Sequence, residues 1–112
     1  MSGLNERNAH REIGPAELNA MLEAGKALLV DVREAGEFEA GHIPGAINIP
    51  LSGFSPDAIP DPEGRTVVLQ CAGGKRSGQA LDQCAQAQSA IDTHLGGGIG
   101  AWKDAGFAVV AS

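Results

Sequence analysis

Apolar positions along this chain fall in blocks whose period changes from one block to the next. Leu18, Met21 and Leu22 follow Gly14-Pro15 at helical spacing, which predicts a helix with proline in its first turn and a stop at Gly25. Ala27-Leu28-Leu29-Val30 is unbroken and apolar. Such a run predicts a strand covered on both faces, as in a parallel sheet. It leads into Asp31-Val32-Arg33, and a short helix is expected over residues 34–40, closed by Gly41. Ala46 to Ile49 predicts a second strand, halted by Pro50. Residues 52–64 contain Pro56, Pro60, Pro62 and two glycines, so they predict a loop with at most one short turn of helix. Thr66 to Gln70 is the third clear strand. A helix is expected from about Ser77 to Gln88, with Ala80, Leu81, Cys84 and Ala85 on one face. Ile91 to Leu95 predicts another short strand. Gly96-Gly97-Gly98 then turns the chain into a short helix carrying Ile99 and Trp102, and Ala108 to Val110 ends it in an extended piece. Strands alternating with helices at this spacing predict an α/β layered fold with a mainly parallel sheet.

The 112 residues, 43% of them apolar, suffice for one core and no second. Residues 1–10 are expected to form a flexible segment and 11–112 the domain. Eight Lys and Arg against 14 Asp and Glu give a net charge of −6, which disfavours nucleic acid as a partner. No apolar run approaches the ~20 residues of a bilayer span, and the polar residues at the start are not expected to act as a secretory signal. The two cysteines, Cys71 and Cys84, are too few for a disulfide framework and lack metal-ligand spacing. The expectation is a cytoplasmic monomer with no metal and no cofactor.

Ligands of parallel sheets sit at the carboxyl ends of the strands, which singles out the loops after Val30, Ile49 and Gln70. The last is chemically the richest. Gly73 and Gly74 let the backbone curl so that consecutive N–H groups of residues 72–77 point inward as an anion nest. The following helix adds its positive end, and Lys75 and Arg76 add full charges. No acidic residue occurs between Gly64 and Leu81. A cysteine exposed in that setting ionises easily, and thiolate is the nucleophilic form. Cys71 is therefore the candidate catalytic residue, with Ala72, Gly73, Gly74, Lys75, Arg76 and Ser77 as candidate substrate-binding residues.

The segment Cys71-Ala72-Gly73-Gly74-Lys75-Arg76-Ser77 resembles the active-site loop of the rhodanese, or thiosulfate sulfurtransferase, family. Asp31-Val32-Arg33-Glu34 with Glu37-Phe38, followed by Gly41-His42-Ile43-Pro44-Gly45-Ala46-Ile47-Asn48-Ile49-Pro50, resembles its upstream signature. Gly97-Gly98-Ile99 with Trp102 and Gly106 resembles its downstream one. The resemblance implies a rhodanese-like three-layer fold, with a five-stranded, mainly parallel sheet flanked by helices. It also implies that Cys71 attacks the outer sulfur of thiosulfate, releases sulfite and holds a persulfide. Cyanide, a low-molecular thiol or a thioredoxin-like protein would then accept the sulfur. The alternative is a persulfide relay serving a partner protein, with little thiosulfate activity of its own. Phosphatases and arsenate reductases of this fold place arginine six positions after the cysteine. Here that position is Ser77 and Arg76 is the fifth, which favours a single sulfur atom over a tetrahedral oxyanion.

Other polar residues invite plainer readings. Asp31 and Arg33, at the carboxyl end of a strand, have one reading in which Arg33 helps hold the loop or the substrate, with structural hydrogen bonds between loops as the favoured alternative. His42 reads as turn chemistry and Cys84 as core. His94 lies near a strand end and could line the pocket rim. None of the three histidines presents itself from sequence as a base for Cys71. Three departures from the family pattern stand out: residues 52–64 are proline-rich where relatives usually carry a helix, Gly96 occupies a position where an acid is common, and residues 87–90 lack the glycine that usually ends the preceding helix.

Overall fold

Every strand in this chain is followed by helix or helical turns, and such connections return the chain to pair in parallel. In a computed structural model, which describes residues 10–111, the elements are β1 (Arg11–Ile13), α1 (Pro15–Glu23), β2 (Ala27–Asp31), α2 (Ala35–Ala40), β3 (Ile47–Asn48), β4 (Thr66–Gln70), α3 (Lys75–Gln86), β5 (Thr93–Leu95) and α4 (Gly98–Asp104). The strands form one sheet in the order β1-β5-β4-β2-β3, and every pair is parallel. The expected five-stranded α/β architecture is present. Most of the segment expected to be flexible, residues 1–9, lies outside the described residues.

Side chains of the central strands divide between two cores. Leu28, Val30 and Val32 with Val67, Leu69 and Cys71 pack against Phe54 and the α3 residues Ala80, Leu81 and Cys84. Ala27, Leu29 and Val68 face the opposite way, against Leu18 of α1 and Ile99 and Trp102 of α4. This alternation is the period of two along a strand, and it explains why both central strands read as continuous apolar runs. Cys71 extends the row of Val67 and Leu69 one step beyond the strand, so its side chain points to the α3 side of the sheet.

Three differences from the sequence expectations have physical causes. β1 has no counterpart in the apolar pattern, because only Ile13 of its three residues is buried. Two 3-10 turns, Leu51–Gly53 and Pro56–Ala58, occupy the proline-rich stretch instead of one at most. Between them Phe54, 7% exposed, anchors the segment to the core. Helix α3 begins two residues early, at Lys75, because Gly74 caps it with φ of 108°.

The topology sets the place of any ligand. From β2 the chain moves to β3 on one side, and β4 and β5 build outward on the other. The loops following β2 and β4 are thus neighbours at the point where strand order reverses, where open α/β sheets bind their ligands. Val32 N–H donates to the Gln70 carbonyl at 2.8 Å and joins these loops just beyond the strands.

Helix α3 closes with an unusual residue. Ser89 N–H donates to the Cys84 carbonyl at 2.8 Å and Gln88 N–H to the Ala85 carbonyl at 3.0 Å, the paired bonds of a Schellman motif. Its left-handed position is held by Gln88, with φ of 61°. A non-glycine residue there carries a strain of ~1 kcal/mol. Gln88 is exposed, so Gln88→Gly is expected to raise unfolding free energy by about 0.5–1 kcal/mol in urea titration. An unchanged or lower midpoint contradicts this account of the cap.

Candidate active site

Residues 71–77 leave the end of β4, curl, and enter α3. The curl is fixed from outside by the start of α4. Ile99 N–H donates to the Cys71 carbonyl at 2.8 Å, and Gly100 N–H to the Ala72 carbonyl at 3.1 Å. The side-chain amide of Gln70 also donates to the Cys71 carbonyl, at 3.0 Å. With these carbonyls drawn away, the following amides are free to face the sulfur. Gly74 N–H donates to Cys71 Sγ at 3.0 Å.

A close backbone approach makes this packing possible. A Cβ on Gly98 would lie 2.4 Å from the Cys71 carbonyl oxygen and 2.6 Å from the Ala72 carbonyl carbon. Gly98 also has φ of 61°. The glycine tract before α4 therefore holds the cysteine loop, in addition to turning the chain so that Trp102 can bury.

The electrostatic outcome favours thiolate. Burial, the largest influence on Cys71, pushes its pKa up. The backbone amides of Ser77, Gly74 and Gly73 and the Ser77 hydroxyl together outweigh it, so the thiol lies below its usual value of 9.0. Cys84 has no such donors; burial alone raises it to about 11, and it is a core thiol. Cys71 itself is 1% exposed. The loop sequence predicts an exposed cysteine, but the row Cys71 shares with Val67 and Leu69 turns it inward.

The candidate binding residues divide by what surrounds them. Ala72, Gly73 and Lys75 are exposed around the loop. Ser77 is fully buried, its hydroxyl 3.6 Å from Cys71 Sγ and 3.1 Å from the Gly74 carbonyl. Arg76 corrects the expectation of an unopposed basic window. Its guanidinium pairs with the Glu37 carboxylate at 2.7 and 3.0 Å, because α2 brings in an acid remote in sequence. Arg76, and then the Glu34 N–H, hold Glu37 down at about 2, so the pair stays charged throughout the range in which a thiol titrates. Among the described residues Lys75 is the loop's one cation without a carboxylate partner.

Asp31 and Arg33 are buried and paired, with Arg33 Nη2 2.8 Å from Asp31 Oδ2 and 2.7 Å from the Gly41 carbonyl. Asn48 donates to the Asp31 and Arg33 carbonyls at 3.0 and 2.9 Å. This cluster fastens the loops after β2 and α2 to β3. His42 donates from Nδ1 to the Phe38 carbonyl at 2.8 Å and stacks on the Phe38 ring at 3.8 Å, and its backbone pairs with Val110. The residue that sequence reasoning left unassigned is His94. It is 3% exposed, and its Nδ1 lies 2.7 Å from Ser77 Oγ. The available signal was a lone polar ring in the Thr93-His94-Leu95 strand, level with Leu69 in the register. Among the described residues no three His, Cys, Asp or Glu side chains converge as metal ligands would.

A family model for the rhodanese-like domain matches residues 14–105. The chain belongs to the rhodanese-like domain family. It is 43% identical over 98 residues to an uncharacterized protein of Synechocystis, covering 88% of this chain and 55% of that one, and so spans about half of that relative's length. It is 37% identical over 84 residues to a protein named sulfurtransferase from Allochromatium vinosum, covering 75% of this chain and 78% of the other. The crystal structure of a rhodanese-related protein from Thermoplasma volcanium superposes with a TM-score of 0.77 at 30% identity, covering 92% of this chain and all of that one. The rhodanese-like sheet places the Cys71 loop at the reversal of strand order.

The dependence of the loop on α4 is open to test. Gly98→Ala drives a methyl group into backbone that cannot move independently, so it is expected to cost about 2 kcal/mol or more and to raise the Cys71 pKa. Retention of both stability and thiol acidity would show that the close approach does not shape the loop.

Proposed function

We propose that this rhodanese-like protein is a sulfurtransferase in which Cys71 carries sulfane sulfur from thiosulfate to a thiophilic acceptor. The observation that carries this reading is the Gly74 N–H donated to Cys71 Sγ at 3.0 Å, which the amides of Gly73 and Ser77 reinforce in holding the thiol below its usual value. A thiolate so held attacks the outer sulfur of thiosulfate. The sulfur–sulfur bond of the donor breaks, its electron pair leaves on sulfite, and a persulfide anion remains on Cys71. The same donors then face that anion without rearranging. Cyanide, a low-molecular thiol or a thioredoxin-like protein takes the outer sulfur in the second half-reaction. Lys75 attracts the dianionic donor. We further propose a cytoplasmic setting, where both thiols stay reduced, and a monomer that requires neither nucleic acid nor membrane. Among the described residues no helix is long and apolar enough to cross a bilayer.

The Arg76–Glu37 pair favours a second reading, a persulfide relay fed by a partner protein. With Arg76 neutralised, the loop attracts a free dianion less strongly than its sequence suggests. A protein donor depends less on that charge.

Incubation with thiosulfate is expected to add the mass of one sulfur atom to Cys71, and Cys71→Ala is expected to abolish both the adduct and thiocyanate formation. A wild-type protein that acquires no sulfur from thiosulfate but does so from a protein persulfide supports the relay. Acquisition from neither defeats both readings. Glu37→Gln frees Arg76 and is expected to lower KM for thiosulfate by about threefold, as suits a partly exposed ion pair. An unchanged KM would mean that Arg76 does not act on the donor.

A further inference from the structure

Behind the cysteine loop lie two polar groups, His94 and Glu12, that the sulfur-transfer reading does not use. Cys71 Sγ is 3.6 Å from Ser77 Oγ, and Ser77 Oγ is 2.7 Å from His94 Nδ1. On the far side of the ring, His94 Nε2 lies 3.5 Å from Glu12 Oε2. Nε2 is buried and has no hydrogen-bond partner at normal distance. Glu12 comes from β1, His94 from β5 and Ser77 from α3, so residues far apart in sequence meet one after another. Gly96 leaves room for the carboxylate, since a Cβ there would sit 3.3 Å from Glu12 Oε1.

We propose that His94, acting through the Ser77 hydroxyl, is the positioning residue that receives the Cys71 thiol proton, with Glu12 stabilising the imidazolium that results. The proposal rests on Cys71 being the reacting thiol. In the step, the Sγ–H bond breaks as its proton passes to Ser77 Oγ, and the original hydroxyl proton passes to His94 Nδ1. Thiol and neutral imidazole become thiolate and imidazolium with no change in net charge and no other reactant.

Hydrogen-bond accounting supports each end of the step. Ser77 has one proton and three neighbours: Sγ, the Gly74 carbonyl and His94 Nδ1. With His94 neutral and its proton on Nε2, Nδ1 accepts from the serine, whose oxygen accepts from the thiol. With His94 protonated, Nδ1–H donates to the serine oxygen, and the hydroxyl turns to the thiolate. Charge-assisted bonds are the stronger ones, so the thiolate wins over the Gly74 carbonyl. The opposite neutral tautomer is disfavoured, since its Nε2 lone pair would face the Glu12 carboxylate.

The groups around His94 set its readiness. Burial lowers its pKa, Glu12 opposes that, and His10 lowers it further. The His10 ring meets His94 edge-on at 5.7 Å and is itself bound to Asp82 at 2.9 Å. His94 is consequently neutral near pH 7, the form able to accept a proton.

Two measurements test the relay without using sulfur transfer. The first follows the rate of Cys71 alkylation by iodoacetamide against pH. His94→Asn can hydrogen-bond Ser77 but cannot hold a proton. Its profile is expected to move up in pH, with a roughly tenfold loss of rate in the rising limb. Glu12→Gln, at a largely exposed side chain, is expected to shift it the same way by less. Coincident wild-type and His94→Asn profiles overturn the proposal. The second measurement follows the His94 ring nitrogens by NMR across pH and needs no His94 variant. Loss of the thiolate in Cys71→Ala is expected to lower the His94 midpoint, and an unchanged midpoint overturns the coupling. A wild-type protein that forms the sulfur adduct while both results are negative retains the sulfurtransferase reading and loses the relay. One that forms no adduct but shows the coupling has the reverse outcome.

Discussion

Two hydrogen bonds decide what the Cys71 loop can do. By capturing the Cys71 and Ala72 carbonyls, the first amides of α4 determine which side of the following peptide units faces the sulfur. Backbone groups must be satisfied somewhere when buried. Once these carbonyls are paired outside the loop, its N–H groups are left to serve an anion within it. The Gly98 backbone must touch the loop for this to happen, which ties a glycine more than twenty residues downstream to the acidity of one thiol.

The rest of the fold supports that contact. Parallel pairing of β4 with β2 and β5 brings the loops after β2 and β4 together and sets the start of α4 beside them. Apolar rows on both sheet faces hold α3 and α4 in place. The Asp31–Arg33 pair fastens the neighbouring loops from within. The charge around the site is more balanced than the loop's own sequence indicates. One arginine of the loop is matched by Glu37, so the thiolate relies chiefly on fixed dipoles, which would cost no reorganisation in the proposed sulfur transfer.

Much of this was legible in the sequence, for identifiable reasons. The strands Ala27–Asp31 and Thr66–Gln70 are buried on both faces, and their apolar runs announced them. The cysteine loop was legible because glycine, cations and a helix start sit within seven residues. Contacts between remote segments were not. β1 has one buried residue and no apolar pattern. The approach of Glu37 to Arg76, of His94 to Ser77 and of Gly98 to Cys71 depends on sheet order, which no local spacing encodes. The inward turn of Cys71 follows from the strand period once the end of β4 is known.

Titration of the Cys71 thiol most directly tests the claim that backbone donors keep its sulfur anionic. The thiolate absorbance of the wild-type protein, less that of Cys71→Ala, isolates this group from Cys84. The account predicts a midpoint below 9.0, despite the near-complete burial of the residue. A midpoint at or above that value would mean that burial prevails over the amides, and the proposed chemistry would lose its basis.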